Sequence, residues 1–172
     1  MSADVFKRQA AQEAVALVES GMTLGLGTGS TAAHFVDLVA EKARAGLEVK
    51  GVATSEQTAR RALEGGVALI EPDEMTIIDL AVDGTDETDH ACNLIKGGGG
   101  ALLREKIVAA AARRFIVIAD ASKKVGALGA FPLPVEIDRF AFALTVTKVR
   151  AALRKFGLDD RIMLRPDRKG AT

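Results

Sequence analysis

Four consecutive glycines, Gly97 to Gly100, stand between the apolar pair Leu94-Ile95 and the helix-forming stretch Ala101-Leu102-Leu103-Arg104-Glu105-Lys106. Neither a helix nor a strand interior tolerates such a run, because each glycine loses more backbone freedom on folding than any other residue. The run predicts a turn at which main chain comes very close to something else. Lys96 stands at its entrance and Glu105 sits about one turn into the following helix, so this turn carries a cation and a carboxylate. The chain therefore needs a fold that presents such turns at the ends of its strands.

The flanking sequence supplies one. Val5, Gln9, Ala10, Glu13, Ala14, Leu17 and Val18 recur at helical spacing and predict an amphipathic first helix that Gly21 ends. Met22–Leu26 reads as a short strand, and Gly27-Thr28-Gly29-Ser30-Thr31 turns the chain into a second helix with Phe35, Leu38 and Val39 facing inward. Val49–Ala53, Val67–Ile70 and Ile77–Val82 read as further strands, with a helix over Thr58–Leu63. After the glycines come a helix over Leu102–Ala112, opening at Gly99 or Gly100, and Phe115–Ala119, expected to be the most buried strand. This alternation predicts an α/β, Rossmann-like layered fold with a mostly parallel sheet and helices on both faces. Ligands of such sheets bind beyond the carboxyl ends of the strands, where strand order reverses. Each polar turn considered below follows a predicted strand.

Residues 1–130 form the expected main domain. From 131 the pattern changes: in Phe131-Pro132-Leu133-Pro134-Val135 each proline fixes its own φ and restrains its predecessor. A helix over Phe142–Phe156, a stop at Gly157, a strand starting in Arg161–Leu164 and a polar turn over 165–172 follow. Residues 131–172 thus read as the start of a second, small α/β subdomain that is incomplete.

Composition excludes several classes. A chain of 172 residues, 48% hydrophobic, with zero formal net charge, has enough apolar material for a core and lacks the basic footprint of a nucleic-acid binder. Without Trp or Tyr it has little to stack on bases. No apolar run approaches membrane-spanning length, and the amphipathic start MSADVFKRQAAQEAV is not a signal peptide. Cys92 is the only cysteine, which rules out an intrachain disulfide or a multi-cysteine metal site and suits a reducing cytoplasm.

Four turns carry the polar groups. Gly25-Leu26-Gly27-Thr28-Gly29-Ser30-Thr31 opens a helix through glycines, leaving amides that suit an anion such as phosphate. It is neither a Walker loop nor the dinucleotide fingerprint, and a plain capped glycine turn would look similar. Ala53–Thr58 is a second hydroxyl-rich turn that helix capping alone would explain. Asp83-Gly84-Thr85-Asp86-Glu87-Thr88-Asp89 packs four acids into seven residues. It lacks calcium-loop spacing and has no His or Cys in register, so it reads either as a solvated turn or as Asp83 and Asp86 holding sugar hydroxyls.

The fourth turn is Lys96–Glu105. A helix N-terminus is expected to keep Glu105 ionised near neutrality, fit to remove a proton beside a carbonyl, with Lys96 stabilising the oxyanion. Lys123, in Ala119-Asp120-Ala121-Ser122-Lys123, offers a second cation. His34 and His90 are poor bases, one on a helix face and the other in a polar loop.

Five motifs now stand in order: GTGST at Gly27–Thr31, DGTDE at Asp83–Glu87, KGGGGALLREK at Lys96–Lys106, ADASK at Ala119–Lys123 and FPLPVEI at Phe131–Ile137. Together they resemble the A-type ribose-5-phosphate isomerase family over about residues 5–160. The resemblance implies a cofactor-free, metal-free aldose–ketose isomerase of the non-oxidative pentose phosphate pathway, cytoplasmic and homodimeric. Its substrates would be D-ribose 5-phosphate and D-ribulose 5-phosphate, interconverted through an enediol(ate). It implies that Thr28, Gly29, Ser30 and Thr31 hold substrate, and that Asp83, Gly84, Thr85 and Asp86 line the sugar. Lys96, Gly97, Gly98 and Gly99 would close over the reacting end, and Lys123 would help to bind. Glu105 would shuttle a proton between C1 and C2, with Lys96 and Asp83 beside it as the other catalytic groups. Family members usually continue beyond residue 172, completing the small subdomain. The alternatives are a sugar-phosphate sensor domain, or an amino-sugar phosphate deaminase or CoA-transferase relative. A sensor needs the phosphate turns but no base.

Overall fold

The structure, a computed structural model, describes residues 2–165. The chain divides into two compact units, one ending at Leu133 and the other beginning at Pro134. The first unit holds a five-stranded sheet built from β1 (Thr23–Leu26), β2 (Lys50–Ala53), β3 (Ala68–Leu69), β4 (Leu80–Gly84) and β7 (Phe115–Ile118). Their order is β3-β2-β1-β4-β7 and every pairing is parallel. A separate antiparallel hairpin pairs β5 (Glu87–Thr88) with β6 (Leu94–Ile95). The helices of this unit are α1 (Ala3–Val15), α2 (Ser30–Arg44), α3 (Glu56–Glu64) and α4 (Leu103–Ala111).

Side chains alternate across the strands, so each face receives its own helices. Leu24, Leu26, Leu80 and Val82 point to one side, where they pack with Ala11, Ala14 and Val15 of α1 and with Phe35, Val36 and Val39 of α2. Ala81 and Val52 point to the other, against Val108 of α4. Gly25 makes that second contact possible: a Cβ there would lie 2.6 Å from Val108 Cγ1 and 2.7 Å from Ala81 Cβ. α4 therefore sits directly on β1, and the glycine sets the height of Glu105 above the sheet. The chain runs outward from β1 through β2 to β3, then returns to add β4 and β7 on β1's other side. Strand order reverses between β1 and β4; Gly27–Thr31 leaves β1, while Asp83 and Gly84 are the last two residues of β4 and Thr85-Asp86 follow it.

The α2 core positions and the strands near 23–26, 50–53 and 68–69 match expectation. β4 starts three residues later than expected, at Leu80 and not Ile77, the β5–β6 hairpin was not expected, and further details differ. α1 ends at Val15 rather than at Gly21, and its inward side is Ala11, Ala14 and Val15, with Val18 buried beyond it. The expected stripe members Val5 and Leu17 are 40% and 37% exposed. Small alanines let α1 approach α2 closely; of the two buried ones the expected stripe contained Ala14 and missed Ala11. β7 is an edge strand, half-buried along Phe115–Val117, not the most buried strand. α4 begins at Leu103, later than Gly99 or Gly100, because Gly97 and Gly100 take φ values of +86° and +95° that a helix excludes.

In the second unit α5 spans Phe142–Lys155, ending before Gly157 at φ +67°. Residues 161–164 form no strand, and none of the described residues pairs with them. The polar turn expected over 165–172 lies, beyond Arg165, outside the described residues.

Candidate active site

Gly27 leaves β1 with no room for a side chain: a Cβ there would stand 2.3 Å from Asp83 Oδ1. That closeness lets the Thr28 amide donate to Asp83 Oδ1 at 3.1 Å, and the Gly84 amide donates to the same oxygen at 2.7 Å. Gly29, at φ +108°, precedes α2 and turns the first amides of that helix outward. Thr31 is buried, and Ser30 Oγ accepts a 2.9 Å hydrogen bond from Lys7 Nζ.

The β5–β6 hairpin places Lys96. The Asp86 amide donates to the Ile95 carbonyl at 2.9 Å, and Thr85 Oγ1 lies within bonding distance of the Glu87 and Ile95 carbonyls. Held there, Lys96 Nζ reaches Asp83 Oδ2 at 3.0 Å, Glu105 Oε2 at 3.0 Å and the Gly84 carbonyl. An ammonium has three N–H donors, and here each has an acceptor. Asp86 Oδ2 accepts from the Gly98 amide at 2.7 Å, fastening the glycine turn over this cluster. Asp83, Gly84, Asp86, Lys96, Gly98 and Glu105 thus come together beside Thr28.

Glu105 is the third residue of α4 and only 6% exposed. Burial pushes its carboxyl up to about 7, the charge of Asp83 adds to the shift, and Lys96 opposes both. The expectation was a Glu105 kept ionised near neutrality by the helix N-terminus; at about 7 the carboxyl is only partly ionised there, because loss of water and a neighbouring carboxylate outweigh a dipole worth about 0.3–1 kcal/mol. The group is poised near neutrality, the range a general base needs.

Lys123 closes a short 3-10 turn, Ala121–Lys123, capped by Asp120. It makes no hydrogen bond with the Lys96 cluster. Its segment is tied to the hairpin through the Val125 amide, which donates to the Thr88 carbonyl at 2.9 Å.

Two features escaped the sequence. Ser55 does cap α3, accepting from the Thr58 amide at 3.1 Å, but Thr54 and Thr58 also reach Thr28, at 2.7 and 3.4 Å between hydroxyl oxygens. The parallel register Leu26↔Ala53 that brings them together was the missing signal. Glu87, counted among the acids of a polar turn, is buried and accepts from the Gly129 and Ala130 amides at 2.6 and 3.0 Å. Among the described residues no three His, Cys, Asp or Glu side chains are placed to hold a metal ion.

Residues 50–171 match the family model of ribose 5-phosphate isomerase A (phosphoriboisomerase A). Ribose-5-phosphate isomerase A of Rhodopseudomonas palustris is 55% identical over 99% of the chain and 73% of that protein. The Agrobacterium fabrum protein of the same name is 53% identical over 99% of the chain and 74% of that protein. Among solved structures, ribose 5-phosphate isomerase A of Methanocaldococcus jannaschii superposes with a TM-score of 0.82 at 41% identity, covering 91% of this chain and 68% of that one. A D-ribose-5-phosphate isomerase in complex with phospho-erythronic acid superposes equally well, TM-score 0.82 at 39% identity, with the same coverage of both chains. The chain belongs to the ribose-5-phosphate isomerase A family.

Proposed function

We propose that the chain interconverts D-ribose 5-phosphate and D-ribulose 5-phosphate, with Glu105 as the base and Lys96 as the oxyanion partner. The observation that carries this reading is the Lys96 ammonium bridging Asp83 and a buried Glu105 at 3.0 Å each.

The chemistry follows from the charges. Ionised Glu105 takes the C2 proton of the open-chain aldose, and the carbonyl electrons move onto O1. At that moment Glu105 becomes neutral and its hold on Lys96 weakens, while negative charge appears on the substrate oxygen. One Lys96 donor then turns from Glu105 to that oxygen, and Asp83 with the Gly84 carbonyl keeps the ammonium in place. Glu105 returns the proton to C1, and the hydroxyl proton passes from O2 to O1, giving the ketose. A donor aimed at developing charge in a water-poor site is worth about 10²–10³ in rate.

The first amides of α2, with Ser30 and Thr31, would hold the phosphate, helped by Lys123. Asp86 would exchange its bond to Gly98 for a sugar hydroxyl. The family neighbour bound to phospho-erythronic acid supports this assignment, because a planar carboxylate on a phosphorylated chain mimics an enediolate. A sensor would have no use for a buried carboxyl poised near neutrality, which favours the isomerase over that alternative.

The proposal extends to a homodimer working in the cytoplasm in non-oxidative pentose phosphate metabolism. No helix of the described residues is long and apolar enough to cross a membrane. Light scattering tests the dimer, which a monomeric mass would refute. Turnover is tested in a coupled assay of ribose 5-phosphate with EDTA present: Glu105→Gln should still bind pentose phosphate and lose turnover, and unchanged turnover would reject the assigned base.

A further inference from the structure

Thr28, Thr54, Ser55 and Thr58 form one hydroxyl cluster where β1 and β2 end, and each hydroxyl has a single proton to give. Thr54 Oγ1 donates to the Leu26 carbonyl at 3.0 Å, and Thr58 Oγ1 donates to the Gly27 carbonyl at 2.9 Å. A carbonyl only accepts, so both protons are spent. Ser55 Oγ must then donate to Thr58 Oγ1 at 3.0 Å. The short 2.7 Å contact between Thr28 and Thr54 follows the same accounting: Thr54 has no proton left, and Thr28 is the donor. The Thr28 amide is already given to Asp83. Thr54 and Thr58 are only 4% and 6% exposed, so water does not relieve either commitment.

Thr28 therefore has no donor left for a bound molecule, only lone pairs. A phosphate dianion, which accepts and cannot donate, gains nothing from that oxygen, whereas a sugar hydroxyl pairs with it. We propose that Thr54 is a positioning residue that holds Thr28 as an acceptor-only group reading a hydroxyl of the open-chain sugar. The first turn is thereby divided: Thr28 selects the polyol, and residues 29–31 take the phosphate. The inference rests on the isomerase reading above, which puts a pentose phosphate in this site.

Competition against ribose 5-phosphate turnover tests it with three probes: inorganic phosphate, 4-phosphoerythronate, and its deoxyfluoro analogues at each carbinol carbon. Fluorine accepts weakly and cannot donate. In the wild type, fluorine at one of the two carbons should weaken inhibition about tenfold. Thr54→Val removes the 2.7 Å partner that fixes the Thr28 hydroxyl, leaving only the 3.4 Å contact with Thr58, so its lone pairs no longer hold one direction. It should weaken 4-phosphoerythronate about tenfold and shrink the fluorine discrimination towards unity, leaving inorganic phosphate inhibition unchanged. Thr54→Ser should behave as wild type. Should Thr54→Val fail to fold, Thr28→Val is predicted to abolish the same discrimination while still binding inorganic phosphate. Undiminished discrimination in Thr54→Val or, in its absence, in Thr28→Val would overturn the assignment of Thr54, as would a parallel loss of phosphate inhibition. A wild type that 4-phosphoerythronate does not inhibit would overturn the isomerase reading itself, and this inference with it.

Discussion

Replacing Glu105 by glutamine should change how stability depends on pH, and the sign of that change separates two opposing forces. Lys96, 3.0 Å away, favours the ionised carboxylate, while burial and the charge of Asp83 favour the neutral acid. The second pair wins, lifting the carboxyl from an ordinary value of 4.5 to about 7. A raised value means that the folded chain holds this proton more tightly than the unfolded chain does. The stability that the neutral acid contributes is complete below about pH 4.5 and is lost as pH rises through 7. At 1.36 kcal/mol per unit the loss across that window is about 3 kcal/mol. Glutamine has no proton to lose, so the difference in unfolding free energy between wild type and Glu105→Gln should swing by about 3 kcal/mol towards the variant between pH 4.5 and 8. Other titrating groups are shared and cancel in the difference. Urea unfolding followed by far-UV circular dichroism is the assay, since the chain has no Trp or Tyr to report by fluorescence. A flat difference would refute the reasoning. A swing favouring the wild type as pH rises would show that the ion pair with Lys96 dominates and that Glu105 is ionised well below neutrality.

Two further outcomes follow from the same contacts. Lys96→Met removes the one group that lowers the Glu105 value, so the acid limb of the kcat/KM profile should move upward and kcat should fall about 10²–10³-fold; an unmoved limb in the pH–rate profile would contradict the pairing. Gly25→Ala puts a methyl group 2.6 Å from Val108 Cγ1, pushing α4 and Glu105 off the sheet. It should destabilise by about 1–3 kcal/mol in urea titrations and lower kcat although Gly25 lies in the sheet interior; wild-type values for both would show that α4 is not seated by this glycine.

Much of this was legible in the sequence, for reasons that differ from residue to residue. Leu24–Leu26 and Leu80–Val82 are short apolar runs ending in glycine and acid, which is how central parallel strands with functional carboxyl ends read. The glycine run between Lys96 and Glu105 announced a close approach, and the two side chains do meet. Apolarity did not separate edge from centre: Phe115–Ile118 is as hydrophobic as any central strand, yet has a neighbour on one side only. Periodicity found only part of the inward side of α1: Ala14 and Val18 are buried as expected, whereas Val5 and Leu17 are exposed and Ala11 was missed. The protonation of Glu105 was misjudged because it depends on burial and on the charge of Asp83, which stands on another element, β4, and neither can be read from the helix that carries Glu105. Thr54 was invisible as a partner of Thr28 for the same reason, since only strand register brings the two turns together.

The central claim is that the Glu105 carboxylate carries the C2 proton. Incubating ribose 5-phosphate in deuterium oxide with wild type and with Glu105→Gln, and following label at C1 and C2 by proton NMR, tests it most directly. The wild type should deliver isomerised, labelled pentose phosphate, and Glu105→Gln should bind the sugar phosphate yet leave C2–H intact. Label entering the variant's substrate at the wild-type rate would mean that another group takes the proton.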